Sequence, residues 1–321
     1  MNNEKRHVGF EIEYIGLPLD QTADVIKSFF GGEIHKYNVA QYIVKETDFG
    51  DFTLEVDASL IQEIAKKSQN NVNKDGFDQK IQRQLGKAVQ DIGTEFVPNE
   101  IICPPVEISD IPKLQKLCDA IKEKGAKGTK DSISYAFGLH INPEVISFDV
   151  DYILKHMQSF LLLSSWLKKI HNVDLSRQIT SFIDPFPANY YKLILNKNYK
   201  PDLEKLIRDY HEYNPTRNRA LDMLPLFSHL DKDLVARLYG IDEKISARPT
   251  FHYRLPNCEI GNVNWGLDTE WRRWLLVEKV AQDDDLLDEL MVMWHTHQDK
   301  IISTQSGWVK LIDKRMAGYH D

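Results

Sequence analysis

The sequence has few of the residues and motifs that mark several common protein classes. Only three of its 321 residues are cysteines, and Cys103, Cys118 and Cys258 lie far apart, with neither a Cys-x-x-Cys nor a Cys/His metal spacing. We therefore expect three reduced, buried, structural thiols rather than a disulfide framework or a zinc site. The G-x-x-x-x-G-K-[ST] loop that binds phosphate in many nucleotide-binding proteins is also absent.

Long apolar runs and an excess of positive charge are missing as well. No uninterrupted apolar segment approaches the roughly 20 residues that a membrane helix needs. The N-terminal stretch MNNEKRHVGFEIEY has no apolar signal-peptide core and no small-residue cleavage site. The formal net charge of −8 argues against nonspecific nucleic-acid binding, which depends on Lys and Arg. We expect a cytoplasmic protein that binds neither membranes nor nucleic acids.

The composition is that of a globular protein, with 42% hydrophobic and 27% charged residues. No internal repeat or low-complexity linker divides the chain. We therefore expect a single domain over residues 1–321, with a mostly helical insertion at about 61–95 and a helical C-terminal part at about 268–321.

The periodicity of apolar residues predicts an alternation of strands and helices. The predicted strands are 8–15, 42–47, 52–57, 100–103, 132–142 and 250–255. The predicted helices are 19–30, 111–124, 150–171, 203–213, 234–238, 268–281 and 286–298. Two segments rich in proline and aromatic residues, SFIDPFPANYY and HEYNPTRNRALDMLPLF, are predicted to be ordered loops.

Several predicted strands place charged or polar side chains on one face and apolar side chains on the other. In VGFEIEY, residues two apart share a face, so Glu11 and Glu13 lie opposite Phe10, Ile12 and Tyr14. The segments FTLEVDAS, AFGLHIN and TFHYRL alternate in the same way. Helices can cover the apolar face of such an antiparallel sheet. The other face would collect Glu11, Glu13, Asp57, Glu100, His140, His252 and Arg254.

This set of residues differs from an ordinary solvent-facing sheet, which favours Thr and Lys. Adjacent like charges cost free energy unless a cation neutralises them. Carboxylate oxygens together with imidazole suit Mg²⁺ or Mn²⁺, and an arginine such as Arg254 would bind phosphate oxygens through two N–H groups. The set therefore indicates a metal-binding face, although each strand taken alone also fits a polar surface.

The segment NPTRNRALD contains two further arginines, Arg217 and Arg219. In an ordered loop they would bind phosphate or a substrate carboxylate. Salt bridges at the protein surface account for them equally well.

Five segments, taken in order, resemble the motif set of the amidoligases. They are GFEIEY, LEVDASL, NEIICPP, YAFGLHINPE and PTFHYRLPN, and they span roughly residues 8–274. The amidoligases are carboxylate–amine ligases with a glutamine-synthetase-like catalytic fold. The resemblance implies one α+β catalytic domain with a curved antiparallel sheet. Helices would cover one face, and the open acidic face would bind ATP and two or more Mg²⁺ or Mn²⁺ ions.

The resemblance also implies roles for individual residues. The implied metal ligands are Glu11, Glu13, Asp57, Glu100 and His140. The last strand of the family usually carries Glu-x-Arg, whereas this chain has His252-Tyr253-Arg254. Either His252 replaces the carboxylate as a metal ligand or this metal position has changed. We assign Arg254 and Glu100 to catalysis, and Arg254, Arg217 and Arg219 to ATP binding.

The implied chemistry is ATP-dependent amide formation, in which a substrate carboxylate becomes an acyl phosphate and an amine then displaces phosphate. The partners would be small-molecule or peptide carboxylates and amines. Two other interpretations remain open. A metal-dependent hydrolase, such as a phosphoesterase, also needs acids and histidines around cations. A noncatalytic nucleotide-binding module would have kept the fold and lost a ligand at His252.

Overall fold

The computed structural model describes residues 6–56, 98–129, 137–173, 183–240 and 245–319. The chain divides into two compact units. The first unit comprises Met1–Ile141 and Pro256–Asp268, and the second unit comprises Asn142–Leu255 and Thr269–Asp321. The predicted helical insertion at 61–95 lies outside the described residues, and the single-domain organisation stays a prediction.

The first unit is organised around an antiparallel sheet. Its elements are β1 (His7–Tyr14), α1 (Leu19–Phe30), β2 (Glu33–Asn38), β3 (Gln41–Thr47), β4 (Gly50–Val56), β5 (Asn99–Ile102), β6 (Val106–Glu107), α2 (Ile111–Glu123) and β7 (Leu139–Pro143), whose last two residues belong to the second unit. The strands of this unit lie in the order β2-β3-β4-β5-β1-β7, and β6 also pairs with β1. From β2 to β1 each neighbouring pair is antiparallel.

The two faces of β1 differ as the sequence predicts. Phe10, Ile12 and Tyr14 are fully buried. Helix α1 packs over this apolar face, where the Tyr14 hydroxyl lies 2.7 Å from Thr22 Oγ1. The ring of Phe30 stacks on that of Phe52 of β4, with centroids 5.5 Å apart. Burial of these apolar groups against the helix leaves Glu11 and Glu13 on the opposite face.

The C-terminal end of α1 explains how the chain turns back into the sheet. The helix ends at Gly31, whose φ of +72° is in the left-handed region that favours glycine. At Gly32 the φ is +87°, and a Cβ atom would lie 2.3 Å from the carbonyl oxygen of Lys45 on β3. A side chain at residue 32 would therefore separate the turn from the sheet edge.

The second unit is mostly helical. Its elements are α3 (Val150–Ile170), α4 (Ala188–Ile194), α5 (Leu203–Tyr213), β8 (Leu221–Asp222), α6 (Leu224–Leu230), α7 (Lys232–Tyr239), β9 (His252–Tyr253), α8 (Leu267–Gln282, which begins at the end of the first unit), α9 (Asp284–Gln298) and α10 (Gln305–Arg315). Helix α3 is central, because α4, α9 and α10 all pack against it. Two tryptophans join α3 to α10: Trp166 Nε1 donates to Asp313 Oδ1 at 2.9 Å, and Trp308 Nε1 donates to the carbonyl of Leu162 at 2.9 Å.

The mixed fold with a large antiparallel sheet is confirmed, whereas the glutamine-synthetase-like curvature stays a prediction. Strand β2 was not predicted, and helix α10 lies in the C-terminal part at about 268–321 that was predicted to be helical without separate bounds for this helix. The two proline-rich segments were predicted as loops, but they include β8 and the first residues of α4 and α6. Pro225 occupies the first turn of α6, where its missing N–H costs nothing. The predicted strand 250–255 is reduced to β9. Among the described helices, none combines the length and the apolar composition needed to cross a bilayer.

Candidate functional site

A row of three carboxylates crosses the sheet of the first unit. Glu100 on β5 lies directly opposite Glu13 on β1 and, on its other side, directly opposite Glu55 on β4. We call Glu13, Glu55 and Glu100 the carboxylate row. Side chains directly opposite each other in an antiparallel sheet have their Cβ atoms about 5 Å apart, so the row concentrates negative charge on one face.

His140 on β7 joins this face. Its Nδ1 atom lies 2.8 Å from Glu11 Oε2, and its Nε2 atom lies 3.4 Å from Glu13 Oε1. Glu100 Oε1 is 3.9 Å from Nδ1. The Oε2 atom of Glu13 also accepts a hydrogen bond from the backbone N–H of Gly138 at 2.5 Å, which fixes the direction of this carboxylate. The side chains of Glu11, Glu13, Glu100 and His140 are between 9% and 14% exposed.

Electrostatic repulsion makes this arrangement costly without a cation. One oxygen of Glu13, one oxygen of Glu100 and one nitrogen of His140 lie within 4.8 Å of one another. At such a separation two negative charges repel by roughly 1 kcal/mol in bulk water and by about 3 to 4 kcal/mol at the effective dielectric constant of a protein surface. A divalent cation, or a proton on His140, would offset this repulsion.

The donor atoms fit a hard divalent cation. Ligands of Mg²⁺ lie 2.0–2.1 Å from the metal, so neighbouring ligand atoms are typically about 3 Å apart. The 3.4 Å between His140 Nε2 and Glu13 Oε1 is close to that spacing. If the Nδ1 proton of His140 is donated to Glu11, the Nε2 atom carries the lone pair that binds metal. Glu13, Glu100 and His140 would then hold the cation, and Glu11 would orient the imidazole.

The second unit contains a separate cluster around the buried carboxylate of Asp222. Strands β8 and β9 pair antiparallel, which places Asp222 directly opposite His252. Asp222 Oδ2 lies 3.0 Å from Arg254 Nη2 and 3.2 Å from Arg217 Nε. Its other oxygen accepts from the backbone N–H of Leu224 at 3.1 Å. We call Asp222, Arg217 and Arg254 the arginine cluster; its two guanidinium groups provide the donors that phosphate oxygens require.

His252 is held by an amide. Its Nδ1 atom lies 2.5 Å from Asn142 Oδ1. Because an amide oxygen only accepts, Nδ1 donates the proton in this contact and Nε2 is the acceptor of the neutral ring. In this tautomer Nε2 is the ring atom that can bind a metal or accept a hydrogen bond.

Comparison with known protein families decides the assignment. The model of a family described as "Putative amidoligase enzyme" matches residues 4–276. The chain belongs to the amidoligase family. The resemblance carried by the five motifs is thereby confirmed, and membership of an amidoligase family favours a ligase. No curated protein sequence matches the chain at a significant level.

The amidoligase match covers all of the candidate residues that the sequence singles out, and the structure brings several of them together. Glu11, Glu13, Glu100 and His140 converge in the first unit. In the second unit, Arg217 and Arg254 share one carboxylate. Asp57 lies outside the described residues.

Arg219 has partners that differ from those of the arginine cluster. Its Nε atom donates to Asn214 Oδ1 at 2.8 Å, and its Nη1 atom donates to the carbonyl of Pro185 at 2.9 Å. The guanidinium also lies 5.6 Å from the ring centre of Phe186. Through these contacts Arg219 holds the segment before α4 in place.

Three residues of this amidoligase were not singled out by the sequence. Glu55 was predicted to share a face of its strand with Asp57, and the family motif favoured Asp57. Asp222 falls in a segment predicted to be a loop. Its place in the sequence, after Arg217 and Arg219 and just before helix α6, is the signal that could have pointed to it. Asn142 was assigned to the polar face of its strand without a role.

Proposed function

We propose that this amidoligase is an ATP-dependent carboxylate–amine ligase that uses Mg²⁺ or Mn²⁺. The observation that carries the proposal is the convergence of Glu13, Glu100 and His140 on one point of the sheet. In a chain of this family, such a set of donors is best explained as a cation site. The acid and the amine would be small molecules or peptides.

Residues of the first unit would hold the cation. When bound, Mg²⁺ or Mn²⁺ supplies positive charge to phosphate oxygens. Glu13 and Glu100 would bind it through oxygen and His140 through nitrogen, while Glu11 would keep the Nδ1 proton of His140 in place. Glu55 lies next to Glu100 in the row and adds negative charge that favours cation binding.

Residues of the second unit would bind phosphate oxygens. A guanidinium has five N–H donors in a planar fork, so one arginine can bind more than one acceptor and matches the geometry of phosphate oxygens. Asp222 is fully buried, and it orients Arg254 and Arg217 from the same oxygen. Preorganised donors of this kind stabilise charge that develops during phosphoryl transfer.

The proposed reaction has two steps. A carboxylate oxygen of the acid attacks the γ-phosphorus of ATP, and the bond to the bridging oxygen breaks to release ADP. The nitrogen of the amine then attacks the carbonyl carbon of the acyl phosphate. The bond from that carbon to the phosphate oxygen breaks, so phosphate leaves with the electron pair and the nitrogen loses a proton to solvent.

Metal-dependent ATP binding tests the first part of this proposal without knowledge of the acid. We expect calorimetric titration of ATP to show binding with Mg²⁺ or Mn²⁺ and a large loss of affinity in EDTA. Glu100→Gln should weaken the metal-dependent binding, whereas Glu107→Gln, at an exposed residue of β6, should leave it unchanged. Equal affinity in EDTA and in Mg²⁺ would contradict the proposal.

Trapping with hydroxylamine tests the second part. Hydroxylamine replaces the unknown amine and converts an acyl phosphate into a stable hydroxamate. With a panel of amino acids, dicarboxylates and peptides, we expect ADP release and hydroxamate formation in equal amounts for the true acid. Phosphate release that needs no ATP, from phosphate esters alone, would instead identify a hydrolase.

A further inference from the structure

A buried polar network anchors strand β9 through Tyr253, on the face opposite His252 and Arg254. The Tyr253 hydroxyl lies 2.5 Å from His171 Nε2, and His171 Nδ1 lies 2.5 Å from Glu270 Oε2. Arg273 Nη1 donates to Glu270 Oε1 at 2.6 Å. His171 follows directly after α3, while Glu270 and Arg273 belong to α8, so the network joins three elements of the second unit.

We propose that His171 and Glu270 are positioning residues, which act through Tyr253 to hold His252 and Arg254 in the geometry that binds ATP. This inference rests on the proposed function of Arg254. It assigns a role to His171 and Glu270, which lie outside the five family motifs.

The shortness of β9 gives the network its importance. Strands β8 and β9 have two residues each, and their register rests on the pairs Leu221 with Tyr253 and Asp222 with His252. So short a ladder determines the position of a strand only weakly. Flanking backbone bonds help, since Phe251 N–H donates to Pro143 and Arg254 N–H donates to Ala220. None of these bonds fixes the rotation of a side chain.

Alternation along the strand transmits the position of Tyr253 to its neighbours. His252 and Arg254 point to one face and Tyr253 points to the other. The Tyr253 ring is fully buried, with its centroid 5.9 Å from that of Phe160 and 5.2 Å from that of Trp274. Packing fixes the plane of this ring, and the bond to His171 fixes its tip. A shift of Tyr253 along the strand would move both neighbours on the opposite face.

An ionised carboxylate holds the imidazole at the centre of the network. Burial raises the pKa of the Glu270 carboxyl, but the adjacent His171 and Arg273 lower it by more, and the net change is downward from 4.5. Glu270 is therefore ionised at neutral pH and accepts from His171 Nδ1–H. The other ring nitrogen, Nε2, bonds to the Tyr253 hydroxyl. The carboxylate thus orients the imidazole that holds the tyrosine.

Removal of one oxygen atom tests the proposal. Tyr253→Phe deletes the bond to His171 and keeps the ring, and Tyr191→Phe is a matched control. Tyr191 belongs to the same unit, and its hydroxyl lies 2.9 Å from Ser164 Oγ. We expect Tyr253→Phe to weaken Mg²⁺-dependent ATP binding about tenfold, because small displacements of a binding group are costly. Tyr191→Phe should change ATP affinity less than twofold, even where both variants lose similar thermal stability.

A double variant distinguishes action through Arg254 from a general loss of structure. If Tyr253 acts through Arg254, then Tyr253→Phe should cost little further ATP affinity in an Arg254→Lys background. His171→Gln is the second variant: its amide also reaches toward Tyr253, and we expect a smaller loss than in His171→Leu. Circular dichroism verifies that each variant is folded.

The outcomes separate this inference from the proposed function. Equal ATP affinity in Tyr253→Phe and Tyr191→Phe, together with a strong defect in Arg254→Lys, overturns the positioning role alone. Additive losses in the double variant also overturn it. Unchanged ATP binding in Arg254→Lys contradicts the phosphate-binding role of that residue itself.

Discussion

Glu13 on β1 and Glu100 on β5 lie directly opposite each other, and His140 Nε2 lies 3.4 Å from Glu13 Oε1. The partners come from three strands that are widely separated in sequence. Opposed carboxylates are normally avoided in sheets because they repel. Under the proposed function, a cation bound beside the imidazole of His140 would offset this repulsion.

The first prediction concerns stability with and without metal. Glu100→Gln removes one of the two opposed charges. Without metal, the free energy of unfolding of the variant should therefore equal that of the unmodified protein or exceed it by up to about 3 kcal/mol. Addition of Mg²⁺ or Mn²⁺ should raise the thermal midpoint of the unmodified protein and have little effect on Glu100→Gln. Differential scanning fluorimetry with EDTA and with metal measures both. A variant that loses stability in EDTA yet gains as much from metal as the unmodified protein would contradict this prediction.

The second prediction concerns Arg254. Arg254→Lys keeps the charge but loses the two-pronged contact with phosphate and the fixed angle to Asp222. We expect turnover to fall by roughly 2–4 kcal/mol of transition-state stabilisation. Steady-state ADP release, measured with the acid found in the hydroxamate panel, provides the test. Arg208→Lys serves as control, since Arg208 forms an exposed pair with Glu204 on α5. Similar rates in both variants would place Arg254 outside the reaction.

The third prediction concerns His252, where this amidoligase departs from the Glu-x-Arg pattern. If its imidazole binds metal, the site has one nitrogen ligand in place of an oxygen anion and should favour Mn²⁺ over Mg²⁺. His252→Glu should then shift the preference toward Mg²⁺. Calorimetric titration of both metals into both proteins gives the ranking. An identical ranking would mean that His252 does not bind metal and instead hydrogen-bonds a substrate or a neighbouring carboxylate.

The fourth prediction concerns the thiols. Cys103, Cys118 and Cys258 are all buried thiols that form no disulfide. Burial raises the pKa of Cys103, and the nearby charges of Glu11 and Glu100 raise it further; burial likewise raises the pKa of Cys118. We expect no thiol to react with Ellman's reagent at pH 8 in the folded protein and three to react after denaturation. One fast-reacting thiol in the native state would show that a core element opens.

The fifth prediction concerns stability at acid pH. A group whose pKa is lowered on folding contributes stability above its unfolded pKa and loses that contribution as the pH falls through the folded value. For Glu270 the loss should occur below pH 4.5. Glu270→Gln should cost about 3–5 kcal/mol at pH 7, because it breaks a buried ion pair, and the difference from the unmodified protein should shrink below pH 4.5.

Urea unfolding at several pH values measures this difference. Glu289→Gln is the control: the pKa of Glu289 is also lowered, chiefly by its hydrogen bond to Arg315, but the pair is solvent-exposed. Its loss should change stability by less than about 1 kcal/mol. A constant cost of Glu270→Gln across the whole pH range would show that the carboxylate charge contributes nothing.

The sequence by itself determined the local features of this protein. A period of two in VGFEIEY separates Glu11 and Glu13 from the buried Phe10, Ile12 and Tyr14, because alternation follows from strand geometry alone. The limits of α1 follow from its apolar spacing and from the glycines after Phe30. The ordered motifs were enough to predict the amidoligase family.

Only the tertiary structure decided which side chains meet. The register that sets Glu100 between Glu13 and Glu55 depends on strands far apart in the chain, and a shift by one residue would move every side chain to the other face. Asp222 lies on a two-residue strand within a segment that resembles a loop, since two residues carry no periodicity. The contact between His171 and Tyr253 spans 82 residues of sequence, and it exists because packing of α3 and α8 buries polar groups that must then find partners.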